Sequence, residues 1–236
     1  MTIHQPKNIL VVAAHPDDEI LGCGAMIAKH IAQGDQVTVL ILGEGILARK
    51  EMIGANLAEG QCQLNKLWDD AREVHRFLGV KELVLHNFPD LKFSTVPHLD
   101  MVHVIEAVRD RCRPSIIYTH HHGDANMDHQ TVSNTMQAVC RALPDSTIEA
   151  VYAFEIASST EWNFRHDRQF RPNVYFDISG GFLEKKLQAL ELYRSEIRDF
   201  PHPRSRGYLE ALATVRGGQA GFMEAEAFEL VYQKQK

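Results

Sequence analysis

The chain has 236 residues, a formal net charge of -6, and 44% hydrophobic, 24% charged and 8% aromatic residues. That balance excludes a disordered, collagen-like or coiled-coil chain, and its mild acidity argues against a nonspecific nucleic-acid binder, which needs a basic face. The length suits one α/β domain, residues 1–236, whose core is large enough to hold a precise site without disulfide staples.

Residues 9–14 (ILVVAA) form a continuous apolar run rich in branched side chains, the pattern of a buried strand. Residues 36–42 (QVTVLIL) repeat it after a helical stretch that ends at Gly34, so the two runs bracket a βαβ unit. A polar helix over 64–78 closed by Gly79, a strand over 82–85, a helix over 97–113 and a strand over 115–118 continue the alternation. Further on, 130–143 and 183–197 read as helices, 150–154 and 173–178 as strands, and 200–206 (FPHPRSR) as a loop or flap. The alternation predicts a single-domain, Rossmann-like α/β sandwich: a mostly parallel sheet with helices on both faces and ligands beyond the carboxyl ends of its strands.

Cys23, Cys62, Cys112 and Cys140 contain no CxxC pair, so buried free thiols are expected rather than a thiolate zinc cluster or a disulfide framework. No apolar run approaches the ~18 residues of a membrane span, and residues 1–8 lack the features of a signal peptide, which fits a cytoplasmic enzyme. Met26, Met101 and Met136 read as core filling.

Two strand-end loops are unusually polar: His15-Pro16-Asp17-Asp18-Glu19 after the first strand, and residues 120–129 (HHHGDANMDH) after the strand at 115–118. Either loop alone is readily explained as helix capping, with Asp18 or Glu19 as an N-cap. Both together, at one end of a parallel sheet, favour a metal site. His15 and Asp18 leave a turn stiffened by Pro16, and His129, at a predicted helix start, supplies a third ligand; two imidazoles and one carboxylate with an open position suit catalytic zinc. Asp17 beside them is a spare carboxylate able to accept a proton from a water activated by the ion, which points to a hydrolase.

Those residues carry a family resemblance. The run Ala14-His15-Pro16-Asp17-Asp18-Glu19, joined to Asp128-His129 opening a helix, resembles the LmbE-like or PIG-L-like family of zinc-dependent N-acetylglucosamine deacetylases. Gly43-Glu44-Gly45, Arg72-Glu73, Leu78-Gly79-Val80 and Phe88-Pro89-Asp90 are similar to the family's pattern, as are Lys186, Ala189, Leu190, Tyr193, Ser195, Arg216-Gly217, Gly221 and Glu226-Ala227-Phe228. The resemblance implies that His15, Asp18 and His129 bind Zn2+, with Fe2+ or Mn2+ as alternatives, that Asp17 is the general base, and that Asp128 orients a neighbouring group. It also points to Arg72 and Asp90 as substrate-binding residues; Glu44 either holds a hydroxyl or tightens its own loop, and Arg49, Arg204 and Arg206 are rim candidates.

One position departs from the pattern. Many members carry a His three residues before the last ligand, where this chain has Asn126, which cannot deliver a proton. Asp17 could return its proton to the departing amine while Asn126 donates to the oxyanion, or one of His120, His121 and His122, with His120 favoured, could supply the acid. The expected function is therefore removal of the N-acetyl group from an amino sugar or its conjugate, a small-molecule substrate. The alternatives are a zinc amidase acting on a non-sugar or non-acetyl amide and an inactive metal-retaining binding protein; oligomeric state stays open.

Competing folds fit poorly. Gly22-Cys23-Gly24 lacks the third glycine and immediate placement of a dinucleotide loop and suits close helix packing, and no GxSxG elbow is present.

Overall fold

The computed structural model describes residues 5–46 and 57–235. Seven strands form one sheet: β1 (Asn8–Ala13), β2 (Gln36–Gly43), β3 (Glu82–Phe88), β4 (Ile116–His120), β5 (Ala150–Phe154), β6 (Val174–Asp177) and β7 (Ala225–Gln233). Their spatial order is β3-β2-β1-β4-β5-β7-β6. Strands β1 to β5 pair in parallel, and β7 runs antiparallel between β5 and β6. The chain is thus a mostly parallel, doubly wound α/β fold, as its alternating pattern predicts.

Among the described residues, six α-helices cover the sheet: α1 (Asp18–Ala32), α2 (Leu57–Leu78), α3 (His98–Cys112), α4 (Met127–Val139), α5 (Phe182–Leu192) and α6 (Arg206–Ala220). Alternate residues of β1, and Ala14 just after it, enter two cores. Ile9, Val11 and Ala13 pack with residues of α1, α2, α5 and α6, whereas Leu10, Val12 and Ala14 pack with residues of α3 and α4. Full burial on both faces explains why β1 and β2 read as unbroken apolar runs instead of alternating ones.

Several boundaries differ from expectation. The β4 strand continues through His120, two residues beyond the expected end, and α5 stops at Leu192 because the chain turns at Tyr193, whose ψ is 72°. The α4 helix starts at Met127, three residues earlier than the periodicity indicates, since its first turn is polar and exposes no apolar stripe. The α6 helix and β7 carry no strong sequence signal of their own. Only Cys23 of the four cysteines is buried, and Cys62 is exposed on α2, so the expectation of buried thiols fails there. Met26, Met101 and Met136 are buried core residues.

The α1 helix breaks in the middle. Cys23 has non-helical backbone angles, and main-chain groups on either side are satisfied by a buried ion pair from α5 and β7. Lys186 Nζ donates to the Leu21 carbonyl at 2.8 Å and to Glu226 Oε1 at 2.7 Å, while Glu226 accepts from the N–H groups of Ala25 and Met26 at 3.1 and 2.8 Å. Gly22 lets this helix approach the sheet: a Cβ there would stand 2.5 Å from the Phe154 ring. Lys186→Met, which strands Glu226 without its counter-charge, is expected to cost about 3–5 kcal/mol in urea unfolding, with most of the loss recovered in the double variant with Glu226→Gln. Equal unfolding midpoints for wild type and Lys186→Met would refute the assigned role of the pair.

Candidate active site

Because β2 and β3 lie to one side of β1, and β4 and β5 to the other, the connections leaving β1 and β4 diverge at the carboxyl end of the sheet and open a crevice. Both polar loops singled out in the sequence lie in it. A cavity of about 340 Å³ there is lined by His15, Asp17, Asp18, Asp90, Asn126 and His129, among others.

His15, Asp18 and His129 converge, each offering a ligand atom within 4.8 Å of the others. Asp18 Oδ2 lies 3.4 Å from His15 Nδ1 and 3.1 Å from His129 Nε2. Each imidazole is backed by a second carboxylate: His15 Nε2 is 3.0 Å from Asp128 Oδ2, and His129 Nδ1 is 3.1 Å from Asp124 Oδ1. Asp128 is in turn fixed by the N–H groups of Leu91 and Phe93 at 2.7 and 3.0 Å, and Asp124 accepts from Ser159 Oγ and Thr160 Oγ1.

Burial alone would lower the pKa of both imidazoles. The hydrogen bonds to Asp128 and Asp18 instead raise His15 to about 9, and Asp18 and Asp124 raise His129 to about 10. Burial would raise the Asp18 carboxyl, but His129 and His15 hold it well below the usual carboxylate range. The crevice is thus an anionic field focused on two ring nitrogens. His129 Nε2 is buried and makes no well-directed hydrogen bond. These residues fit a divalent cation: the donor set is right for one, and imidazoles backed by carboxylates are the usual outer support of a metal site.

Asp17 sits one residue before α1 with φ 104° and ψ −28°, and its side chain makes no capping hydrogen bond to the helix. A non-glycine residue in this region typically costs about 1–3 kcal/mol. The twist leaves the carboxylate lining the cavity, where Arg204 Nη1 stands 2.6 Å from Asp17 Oδ2. Burial pushes the Asp17 carboxyl well above its ordinary pKa, and the Arg204 charge opposes that shift. Arg204 is itself held by Glu196 and by Ser158 Oγ, both at 2.8 Å. Behind Asp17, the buried Glu19 accepts from its main-chain N–H at 3.1 Å and from Tyr193 OH at 2.6 Å. Gly45, at φ +73°, presses the β2 loop onto this turn: a Cβ there would stand 2.8 Å from Pro16 Cδ.

Other expected residues are distributed unevenly. Asn126 lines the cavity and caps α4, its Oδ1 accepting from the Asp128 N–H at 2.8 Å, so its amide nitrogen is the end left to donate elsewhere. Asp90 lines the cavity with Oδ1 3.4 Å from His15 Nε2. Glu44 is near enough to Asp90 for burial and that charge to raise its pKa, but it does not line the cavity.

His120 is not brought to the cavity. As a strand residue it is fully buried, stacked on His129 at 4.1 Å, and its Nε2 accepts from the Ala14 N–H at 2.8 Å, which corrects the expectation of an acid in the loop. His121 and His122 also lie away from it. Arg72 is half-exposed on α2, pairs with Asp69 at 2.8 Å and does not line the cavity. Arg206 is drawn to Glu184, Glu191 and Glu210 at the start of α6, away from the rim. Arg49 lies outside the described residues.

Sequence reasoning gave no role to Asp124, Glu196, Trp162 or His202, and left Arg204 as a rim residue. Asp124 was legible in principle, as a carboxylate within the same loop as His129. The others come from connections with no regular spacing to read.

The family described as PIG-L, GlcNAc-PI de-N-acetylase, matches residues 10–140. The chain belongs to the PIG-L family. A relative in Escherichia coli K12, named uncharacterized deacetylase YaiS, is 26% identical over 197 residues, covering 80% of this chain and 91% of the relative. The diacetylchitobiose deacetylase of Thermococcus kodakarensis is 25% identical over 235 residues, covering 95% and 83%. The structure of N,N'-diacetylchitobiose deacetylase from Pyrococcus horikoshii shares the fold, with a TM-score of 0.75, 19% identity, and coverage of 95% of this chain and 84% of that one. Both of these relatives, and the structure, carry the name of a deacetylase, a hydrolase acting on an amide. Among the described residues, no helix is long and apolar enough to cross a membrane.

Asn126→Ala removes the α4 cap and is expected to lower stability by about 1 kcal/mol, whereas Asn126→Ser, which retains a capping oxygen, stays close to wild type in urea unfolding. Equal losses in the two variants would show that the cap contributes nothing.

Proposed function

We propose that the protein is a divalent-metal-dependent N-deacetylase that hydrolyses the N-acetyl amide of an N-acetylglucosamine-type sugar or its conjugate. In this reading His15, Asp18 and His129 hold the ion, Zn2+ foremost, and Asp17 is the general base. The observation that carries it is the meeting of two imidazoles and a carboxylate, from loops more than a hundred residues apart, with an uncapped, conformationally strained Asp17 on the wall of the same cavity. When bound, the ion supplies Lewis acidity, making water a nucleophile near neutral pH and polarising the amide carbonyl.

Asp17 takes a proton from the attacking water as its oxygen bonds to the acetyl carbon. Arg204, anchored by Glu196 and Ser158, keeps that carboxylate turned toward the cavity. The Asn126 amide N–H donates to the oxygen on which charge accumulates. The carbon–nitrogen bond then breaks, its electron pair stays on the sugar nitrogen, and Asp17 returns the proton there, leaving acetate and an amine. Asp90 accepts from sugar hydroxyls, and half-exposed Trp162 at the cavity offers a flat apolar face to a sugar ring.

Chelation is expected to abolish acetate release from N-acetylglucosamine conjugates, and Zn2+ to restore it. Chelator-insensitive turnover would remove the metal from the account, and activity confined to other amides would keep the chemistry but replace the substrate. Asp17→Asn should lower kcat by about 10²–10⁴-fold while preserving the circular dichroism spectrum. Asn126→Ser, with its cap intact, should lower it by about 10²–10³-fold. An unchanged kcat in either variant would eliminate the role given to that residue.

A further inference from the structure

A second group of ligand-type side chains lies outside the active site, where the chain leaving β4 reaches past β5 to β7. His121, His122 and Glu229 each offer a ligand atom within 4.8 Å of the others. His121 Nδ1 is 2.6 Å from Glu229 Oε2, and the two neighbouring imidazoles stand with ring centroids 4.5 Å apart.

The partners of these residues are those that metal ligands commonly have. The other ring nitrogen of His121 faces the Arg168 carbonyl at 3.0 Å, which sets it as an N–H donor and leaves Nδ1 as the coordinating atom. The other oxygen of Glu229 accepts from the Arg171 N–H at 2.6 Å, so that carboxylate is also oriented from behind. His121 is buried, Glu229 half-buried and His122 exposed, so two ligands are preset and the third can close from solvent. His122 and Glu229 also line a cavity of about 280 Å³ whose walls are mostly apolar, with Thr119, Ser133 and Gln137 as its other polar residues, and which has space for water on an ion.

We propose that His121, His122 and Glu229 form a second, peripheral site for a divalent transition-metal ion of the Zn2+ or Co2+ type. Two imidazoles and one carboxylate match the nitrogen and oxygen donors such ions prefer, and Ca2+ or Mg2+ would find too few oxygens. Binding displaces the proton shared between His121 Nδ1 and Glu229 Oε2. Because His121 and His122 begin the loop that carries Asp124 and leads to Asp128 and His129 in the first turn of α4, the ion ties the start of that loop to β7.

The test is Co2+ binding to chelator-stripped full-length protein, read by stoichiometry and by the visible absorption of the ion, in wild type, His122→Ala and Glu229→Gln. Exposed His122 can be replaced without opening the core, and circular dichroism checks that both variants fold. The expected result is that each variant binds one equivalent fewer than wild type, whatever the active site binds. The difference is independent of the proposed reaction, and a His15→Ala control should lose a separate equivalent. Wild type and His122→Ala binding the same number of ions with superimposable spectra would overturn the second site. Loss of an equivalent in His122→Ala but not in Glu229→Gln would overturn the three-ligand assignment.

Discussion

The Asp18 carboxylate is the contact on which the rest of the site depends. Its Oδ2 accepts from the His15 main-chain N–H at 2.9 Å and faces ring nitrogens of His15 and His129 at 3.4 and 3.1 Å. An almost fully buried charge of this kind is tolerable only where cations and dipoles surround it. Its place in the first turn of α1 adds the favourable end of a helix dipole. The parallel pairing of β1 with β4 is what makes the contact possible, since it brings His15 after β1 and His129 after β4 into one crevice.

Around that contact the protein builds rigidity in layers. Asp128 and Asp124 brace the imidazoles, Glu19 and Tyr193 brace the turn at Asp17, and Lys186 with Glu226 mends the break in α1. These supports come from α1 itself, the segment after β4, α5 and β7, and the loops after β3 and β5 hold Asp128 and Asp124 in turn, so most of the chain converges on the first turn of one helix. The strained backbone at Asp17 fits this scheme. A residue held against its own preference needs surroundings that over-determine it, and here they aim a carboxylate at the cavity instead of letting it cap the helix.

Strands β1 to β6 and helices α1 to α5 were legible because burial on both faces gives continuous branched runs and because glycines end α1 and α2, whereas α6 and β7 were not. The ligand-type residues were legible as well, since His15, Asp18 and His129 lie in dense polar runs where a capping role explains too little. What the sequence hid depends on distances between loops. Arg204 reads as one more surface arginine until the 193–205 connection folds Glu196 beneath it and sets it against Asp17. Arg72 errs the other way: a residue picked by resemblance faces Asp69 along its own helix. His120 was misplaced because β4 runs two residues beyond the expected end at Tyr118, which turns the imidazole into the core.

That misplacement bears on how a proton could be carried. His120 is fully buried, and its Nε2 is committed to the Ala14 N–H. His202 does line the cavity, but its Nδ1 accepts from the Arg204 N–H at 3.1 Å, and burial with Arg204 and Arg198 lowers its pKa, so near neutrality it stores no spare proton. In the proposed reaction the proton must then be generated in the cycle itself, from the water. Asp17 is suited to both halves of that cycle, because burial favours its protonated form while Arg204 keeps the ionised form within reach. A histidine at position 126 would divide the two tasks between two groups. An asparagine there leaves both with one carboxyl group and makes the Arg204 contact, rather than a second titrating residue, the balance between them.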